Sequence, residues 1–381
     1  MRKLFHSFLY VLISALIILS SATSCVTNDQ LPDSPQGNFE ALWRIIDEHY
    51  CFFSQKGIDW QEVHSRYARQ FDNSMTAKQQ FEVMTNMLSE LKDGHVNLYT
   101  SFDVGRYWAW HEDYPKNYSD SLERIYLKTD YLIASGLDYT VLDDNIGYVR
   151  CETFQGAIGA GNLDDIFIHL QPCNGLIIDI RNNGGGSVSN AEILAARFTN
   201  EELLVGYIQH KTGKGHDDFS SLQPQYLKPG KGVRWHKPVI VLTNRSVFSA
   251  ANEFVKYMKC CPNVKIVGDR TGGGAGLPFT SELPNGWAVR FSACPMYDRD
   301  RQMTEFGIDP DYKVSLTSED FARGKDTIIE FARKVIKTLP NGGCVKMYTS
   351  SFLCTKPRLS QARALLFPKV FVPLGIKKIS L

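Results

Sequence analysis

Three stretches carry residue types that could do chemistry together. In VIVLTNRSVFSAANEF an apolar run passes through a turn, and Ser249 falls at the first turn of the helix that follows. A helix N-terminus presents unpaired N–H groups and the positive end of the helix dipole, and both stabilise an oxyanion. A plain N-cap is the ordinary role for a serine at such a place. Ser246, earlier in the turn, is the competing hydroxyl and fits a turn or capping role better. In IIDIRNNGGGS a buried strand ends in Asp179, Arg181 and Asn183, followed by Gly184, Gly185 and Gly186. A glycine turn at the carboxyl end of an α/β strand exposes backbone N–H groups where ligands bind. The third stretch, LKDGHVNLY, holds His95, an imidazole able to move a proton near neutral pH, although a lone histidine is more often structural.

A fourth stretch, GDRTGGGAGL at 268–277, follows the apolar run VKIVG and has the look of a phosphate loop. Such a loop closes with Gly-Lys-Ser/Thr, whereas Gly273, Gly274 and Ala275 stand here, with no lysine and no hydroxyl. Leu277 occupies the place of the third glycine of a dinucleotide loop. Both nucleotide readings fail.

The elements around these stretches follow from periodicity. Phe39, Leu42, Ile45, Ile46 and Tyr50 form a helical stripe, with Asn38 as its expected N-cap. Residues 76–92 form a second helix presenting Phe81, Met84, Met87, Leu88 and Leu91, and these stripes read as core. From Ile146 onward, strands such as GLIIDI, ELLVGYIQ, KPVIVLTN and VKIVG alternate with helices such as SVSNAEILAARF and SAANEFVKYMK. That alternation predicts an α/β layered core, with WAVRFSA and YKVSL completing the β content and a last helix over 318–339. Residues 211–235 read as a surface excursion; His210 and His216 could border a site there, but solvated loop histidines fit better.

Composition sets the wider frame. A formal net charge of +1 over 381 residues argues against nucleic acid, whose phosphates call for a basic face. Arg2 and Lys3, an apolar run over 4–19 and the small residues SSATSC make a secretory signal, and the run is short for a membrane span. The residues before Cys25 are similar to a bacterial lipobox, with Ala22 departing from its usual Leu, Val or Ile. The expectation is lipidation at Cys25 after removal of 1–24, then a polar tether over 25–37. Simple secretion is the alternative. The other cysteines show neither a C-x-x-C pair nor metal-ligand spacing, so no metal or cofactor is expected. Beyond Pro340 the chain carries seven Lys/Arg and no acidic residue, and reads as an appended basic tail over 339–381.

Taken together the motifs resemble the C-terminal processing protease family of serine peptidases, family S41, in its tricorn-like branch. The carriers are D-x-R-x-N-x-G-G at 179–186, S-A-A-N-E from Ser249, G-D-R-T-G-G-G from Gly268, D-G-H at 93–95 and E-F-G-I-D-P-D at 305–311. The resemblance implies a ClpP/crotonase-like α/β core over 146–338, a small helical N-terminal subdomain over 38–95 and a connecting segment over 96–145. It makes Ser249 the nucleophile and the N–H groups of Gly185 and Ala250 the oxyanion hole. Processing proteases take a lysine base from the loop that here holds Gly274, so the resemblance shifts the base to His95, oriented by Glu305. Gly94 stands where the tricorn branch has a serine, leaving Glu305 to act directly, through water or through another hydroxyl. No PDZ domain is recognisable; residues 102–144 are short for one. The implied function is an exported, lipid-anchored serine peptidase of the bacterial cell envelope acting on peptides or unfolded proteins. The rival is a non-catalytic relative that binds a peptide or an apolar ligand.

Overall fold

The computed structural model describes residues 31–339, so the signal, Cys25 and nearly all of the basic tail lie outside the described residues. The first helix, α1 (Pro35–His49), starts ahead of Asn38. The Ser34 hydroxyl accepts the Gly37 N–H, and Pro35 sits where a missing N–H costs nothing. Asn38 is buried instead, donating to Asp33 and accepting from the Asn285 N–H. After α2 (Phe53–Lys56), which ends at Gly57 in the left-handed region, come α3 (Trp60–Ala68) and α4 (Ala77–Ser89). Thr76 and Gln79 close α4 with a reciprocal capping box. The apolar faces of these helices, including Phe39, Leu42, Trp60, Phe81 and Met84, share one core with Leu98, Val289 and Phe291.

Two short strands, β1 (Asn97–Tyr99) and β2 (Val104–Arg106), follow, then the short helix α5 (Ala109–Glu112) and α6 (Asp120–Leu127). Residues 102–144 do more than connect. Strands β3 (Leu132–Ala134) and β4 (Leu137–Val141) form a hairpin that adds to β5 (Gly147–Cys151) and widens the main sheet. The chain continues through α7 (Ala160–Leu170), β6 (Leu176–Asp179), α8 (Val188–Ala195), β7 (Leu203–Ile208), β8 (Gln223–Leu227), β9 (Val239–Thr243) and α9 (Ala250–Cys260). Next come β10 (Val264–Gly268), β11 (Gly276–Glu282), β12 (Ala288–Asp298), β13 (Tyr312–Lys313), α10 (Ser318–Ala322) and α11 (Thr327–Thr338). Gly324, in the left-handed region, separates the last two helices where the sequence reads as one.

The main sheet runs β13-β10-β9-β6-β5-β4-β3, parallel from β13 to β5. Strands β5, β6 and β9 are buried along their whole length, as a sheet covered on both faces requires. One face packs on α7, α8 and α9, the other on α6 and α11. A second sheet is organised around the 11-residue β12, which pairs with β1, β11 and β7. Three adjacent parallel strands, β6, β9 and β10, deliver at their carboxyl ends the glycine turn, the Ser249 turn and the glycine loop. Ligands bind at that end of an α/β sheet. No helix of the described residues is long and apolar enough to cross a membrane.

Candidate active site

Ser249 is the N-cap residue of α9, yet its side chain makes no capping hydrogen bond. Its backbone is strained, with φ 57° and ψ −125°, a region that L-residues rarely enter. The strain is held by neighbours. The Ser249 N–H donates to Gly273 O at 2.9 Å, and the Phe248 N–H donates to Asn183 O at 3.1 Å. Released from capping, Oγ lies 2.9 Å from His95 Nε2.

His95 sits between α4 and β1, only 2% exposed, and its N–H donates to Asp93 Oδ1 at 2.8 Å. Its ring packs on Phe248 at 4.7 Å between centroids. Burial lowers its pKa to about 4; Asp93 opposes that shift, while Arg290 and Lys56 add to it. The imidazole is therefore neutral at neutral pH, the form that can take a hydroxyl proton. Nδ1 is buried and has no hydrogen-bond partner among the described residues.

Glu305 does not orient His95 directly. Its Oε1 accepts from Lys56 Nζ at 3.0 Å and its Oε2 from the Ala275 N–H at 2.8 Å, so both oxygens are engaged elsewhere. Burial raises its pKa to about 7, Asp93 reinforces the shift, and Lys56 and the Ala275 N–H oppose it. Lys56 also stands 3.5 Å from Asp93 Oδ2, which accepts the Tyr50 hydroxyl at 2.9 Å. Burial would raise the Asp93 pKa, but Lys56, His95 and the His95 N–H hold the carboxyl below its usual value. His95 and Glu305 thus border one buried polar cluster whose other members, Lys56, Asp93 and Tyr50, were given no part in the chemistry by the sequence reading. Asp93 carried a signal, a carboxylate two residues before the histidine. Lys56 carried none, because its partner is 249 positions away.

The two glycines that depart from related motifs have a shared steric cause. A Cβ on Gly94 would lie 2.7 Å from Trp110 Nε1 and 2.9 Å from Phe248 Cζ. A Cβ on Gly274 would run into the Phe248 ring, at φ +77°. Trp110 and Phe248 stack at 4.3 Å and fill the volume that a serine or lysine side chain would need.

The two N–H groups expected to form the oxyanion hole are differently placed. The Ala250 N–H lies at the first helical position, where no intrahelical acceptor exists. The Gly185 N–H, by contrast, donates to Asn183 Oδ1 at 2.9 Å, because the turn folds the amide side chain back onto it. Gly185 still abuts the nucleophile: a Cβ there would meet Ser249 Cβ at 2.8 Å. Arg181 is not a site residue; it is wholly buried and paired with Asp179 and Asp326. His216 pairs with Asp47 and stacks on Phe53, and His210 contacts Cys294. Among the described residues no group of His, Cys, Asp and Glu could hold a metal ion, and the six cysteines are free.

A serine on a strained strand-to-helix turn at the carboxyl end of an α/β sheet is serine-hydrolase architecture. The Peptidase family S41 model matches residues 145–314, and the Tricorn protease C1 domain model matches residues 32–89. A solved structure of a candidate peptidase from Parabacteroides merdae is 53% identical, with a TM-score of 0.77, covering 80% of this chain and 97% of that one. The chain belongs to peptidase family S41. Among curated proteins, the tricorn protease of Thermoplasma acidophilum is 28% identical over 190 residues, 49% of this chain and 16% of its own. The carboxy-terminal processing protease CtpA of Bacillus subtilis is 24% identical over 200 residues, 52% of this chain and 40% of its own. The matches thus span well under two thirds of these curated relatives.

Proposed function

We propose that the protein is a serine peptidase in which Ser249 attacks the scissile carbonyl and His95 is the general base. The observation that carries this reading is the 2.9 Å contact between Ser249 Oγ and His95 Nε2, made by a serine that occupies an N-cap without capping. His95 takes the hydroxyl proton as the bond to carbon forms, then returns it to the leaving amine. The Ala250 N–H receives the developing oxyanion, and Gly185 joins it once its N–H exchanges Asn183 for the substrate oxygen. Glu305 acts on His95 at one remove, through its charge and through the Ala275 N–H that it fixes. The substrates are peptides or unfolded protein segments. The chain is exported and anchored to the cell envelope by lipid at Cys25.

One observation favours the rival, a non-catalytic binding relative: the Gly185 N–H is already bonded to Asn183. Purified protein assayed on casein and fluorogenic peptides, beside Ser249→Ala and His95→Ala, separates the readings. Hydrolysis that persists in Ser249→Ala overturns the nucleophile. A wild type inert to every peptide and unlabelled by a fluorophosphonate supports the binding reading. Labelling with radioactive palmitate, lost in Cys25→Ala, tests the anchor.

A further inference from the structure

We propose that Lys56 is a positioning residue of this site: it ties Asp93 and Glu305 into one charged cluster beneath His95. The proposal rests on the peptidase reading above. Lys56 ends α2, and its side chain is 7% exposed. An ammonium that deep is tolerated only where it is paired. Nζ lies 3.0 Å from Glu305 Oε1 and 3.5 Å from Asp93 Oδ2, and it donates to the Leu91 and Lys92 carbonyls at 3.3 Å.

Each carboxylate has a second task. Asp93 accepts the His95 N–H, fixing the backbone of the base. Glu305 accepts the Ala275 N–H, fixing the glycine loop whose Gly273 carbonyl holds the Ser249 N–H. Lys56 therefore joins the support of the base to the support of the nucleophile, from a helix outside the sheet that carries Ser249. Its charge matters as well. Once Glu305 is ionised, above about pH 7, one ammonium against two carboxylates leaves net negative charge beneath His95, which becomes positive when it takes the serine proton. Without the ammonium two buried carboxylates cannot both stay ionised, and one captures a proton.

The groups facing this cluster are Tyr50 and Cys51 from the α1–α2 connection, His95, and Arg290 on β12 facing His95. Burial pulls the Lys56 ammonium down, and Asp93 and Glu305 more than offset that, holding it above its ordinary value. Lys56 also lines a surface cavity of about 450 Å³ with Gln55, Gly57, Leu91, Lys92 and Phe306, which gives small molecules a route to it.

The test measures kcat/KM against pH for wild type, Lys56→Met, Lys56→Arg and Lys56→Ala, the last with and without propylammonium. Lys56→Met is expected to lose about tenfold or more at pH 7 with KM little changed, and its acid limb moves up by about one pH unit. Lys56→Arg recovers most of the loss, and propylammonium rescues Lys56→Ala in a concentration-dependent way. A wild-type profile in Lys56→Met overturns the proposal. So does a loss equal at every pH that neither arginine nor propylammonium relieves. A second readout needs no turnover: NMR titration of His95 in the Ser249→Ala background. Removing a neighbouring cation favours the imidazolium, so Lys56→Met raises the His95 midpoint; an unmoved midpoint overturns the proposal even if no peptide is cleaved. Where methionine is not tolerated, Lys56→Gln keeps hydrogen-bond donors, loses the charge, and is read the same way.

Discussion

Ser249 Oγ and His95 Nε2 meet at 2.9 Å although 154 positions separate them in the chain. One comes from the carboxyl end of β9, the other from the link between the helices and the second sheet. Ser249→Ala and His95→Ala are each expected to lower kcat by on the order of 10⁴-fold or more, with the double variant little worse than either. Initial rates on a fluorogenic peptide decide it, and additive losses would show that the two do not act as a unit.

The pH–rate profile should report Glu305 rather than His95. Its carboxyl sits near pKa 7 and the imidazole near 4, so a requirement for ionised Glu305 puts the wild-type acid limb of kcat/KM near pH 7. In Glu305→Gln the limb is expected to fall toward 4, with a lower plateau. A limb that stays near 7 in that variant excludes Glu305 as its source.

The same two groups pull stability in opposite directions. His95 is depressed from 6.5 to about 4, so its contribution is present above 6.5 and is lost as pH falls through that window. Glu305 is raised from 4.5 to about 7, so its contribution is present below 4.5 and is lost as pH rises through 7. Between 4.5 and 6.5 the two slopes oppose each other. His95→Gln removes one of them, and urea midpoints should then fall as pH rises from 4.5 to 7.

Gly94→Ser forces a side chain against Trp110 and Phe248, and is expected to cost about 1–3 kcal/mol. Trp110→Ala in the same chain should recover part of that loss. Equal urea midpoints for wild type and Gly94→Ser would mean that the aromatic pair moves aside freely.

Arg181→Met should be the most destabilising of these changes. Arg181 bonds Asp179 at 2.5 Å and Asp326 at 2.8 Å, all three wholly buried, and Asp326 also caps α11. Removing the guanidinium leaves two buried carboxylates uncompensated, at a cost of about 3–5 kcal/mol. Asp326→Asn keeps an oxygen for the cap and should cost less. Denaturant unfolding of both variants makes the comparison.

Much of the layered core is legible in the sequence because buried parallel strands are continuous apolar runs, as in LIID and VIVLT. Strands β8 and β11 are not, because their exposed, half-buried and buried positions follow no regular order and so lack the period that marks a strand. The site divides the same way. The Ser249 turn, the glycine turn and His95 lie in short motifs, where residue type and order carry the signal. The Lys56–Glu305 pair and the Trp110–Phe248 stack depend on which distant segments meet, and hydrophobic patterning reports burial without naming the partner. Arg181 is a related case: its motif shows where it stands in the chain, but not that Asp179 and Asp326 pair with it in the core.

The ring of Phe248 has a consequence for how such sites can change over generations. It supports the His95 imidazole on one side and occupies the volume a lysine at 274 would need on the other. Gly274→Lys alone meets that ring, and Phe248→Ala alone removes the backing of the working base. A lineage exchanging one base for the other must therefore alter both positions, and either first step taken singly is expected to be worse than where it began. The phenylalanine beside the nucleophile acts as a ratchet on the choice of base.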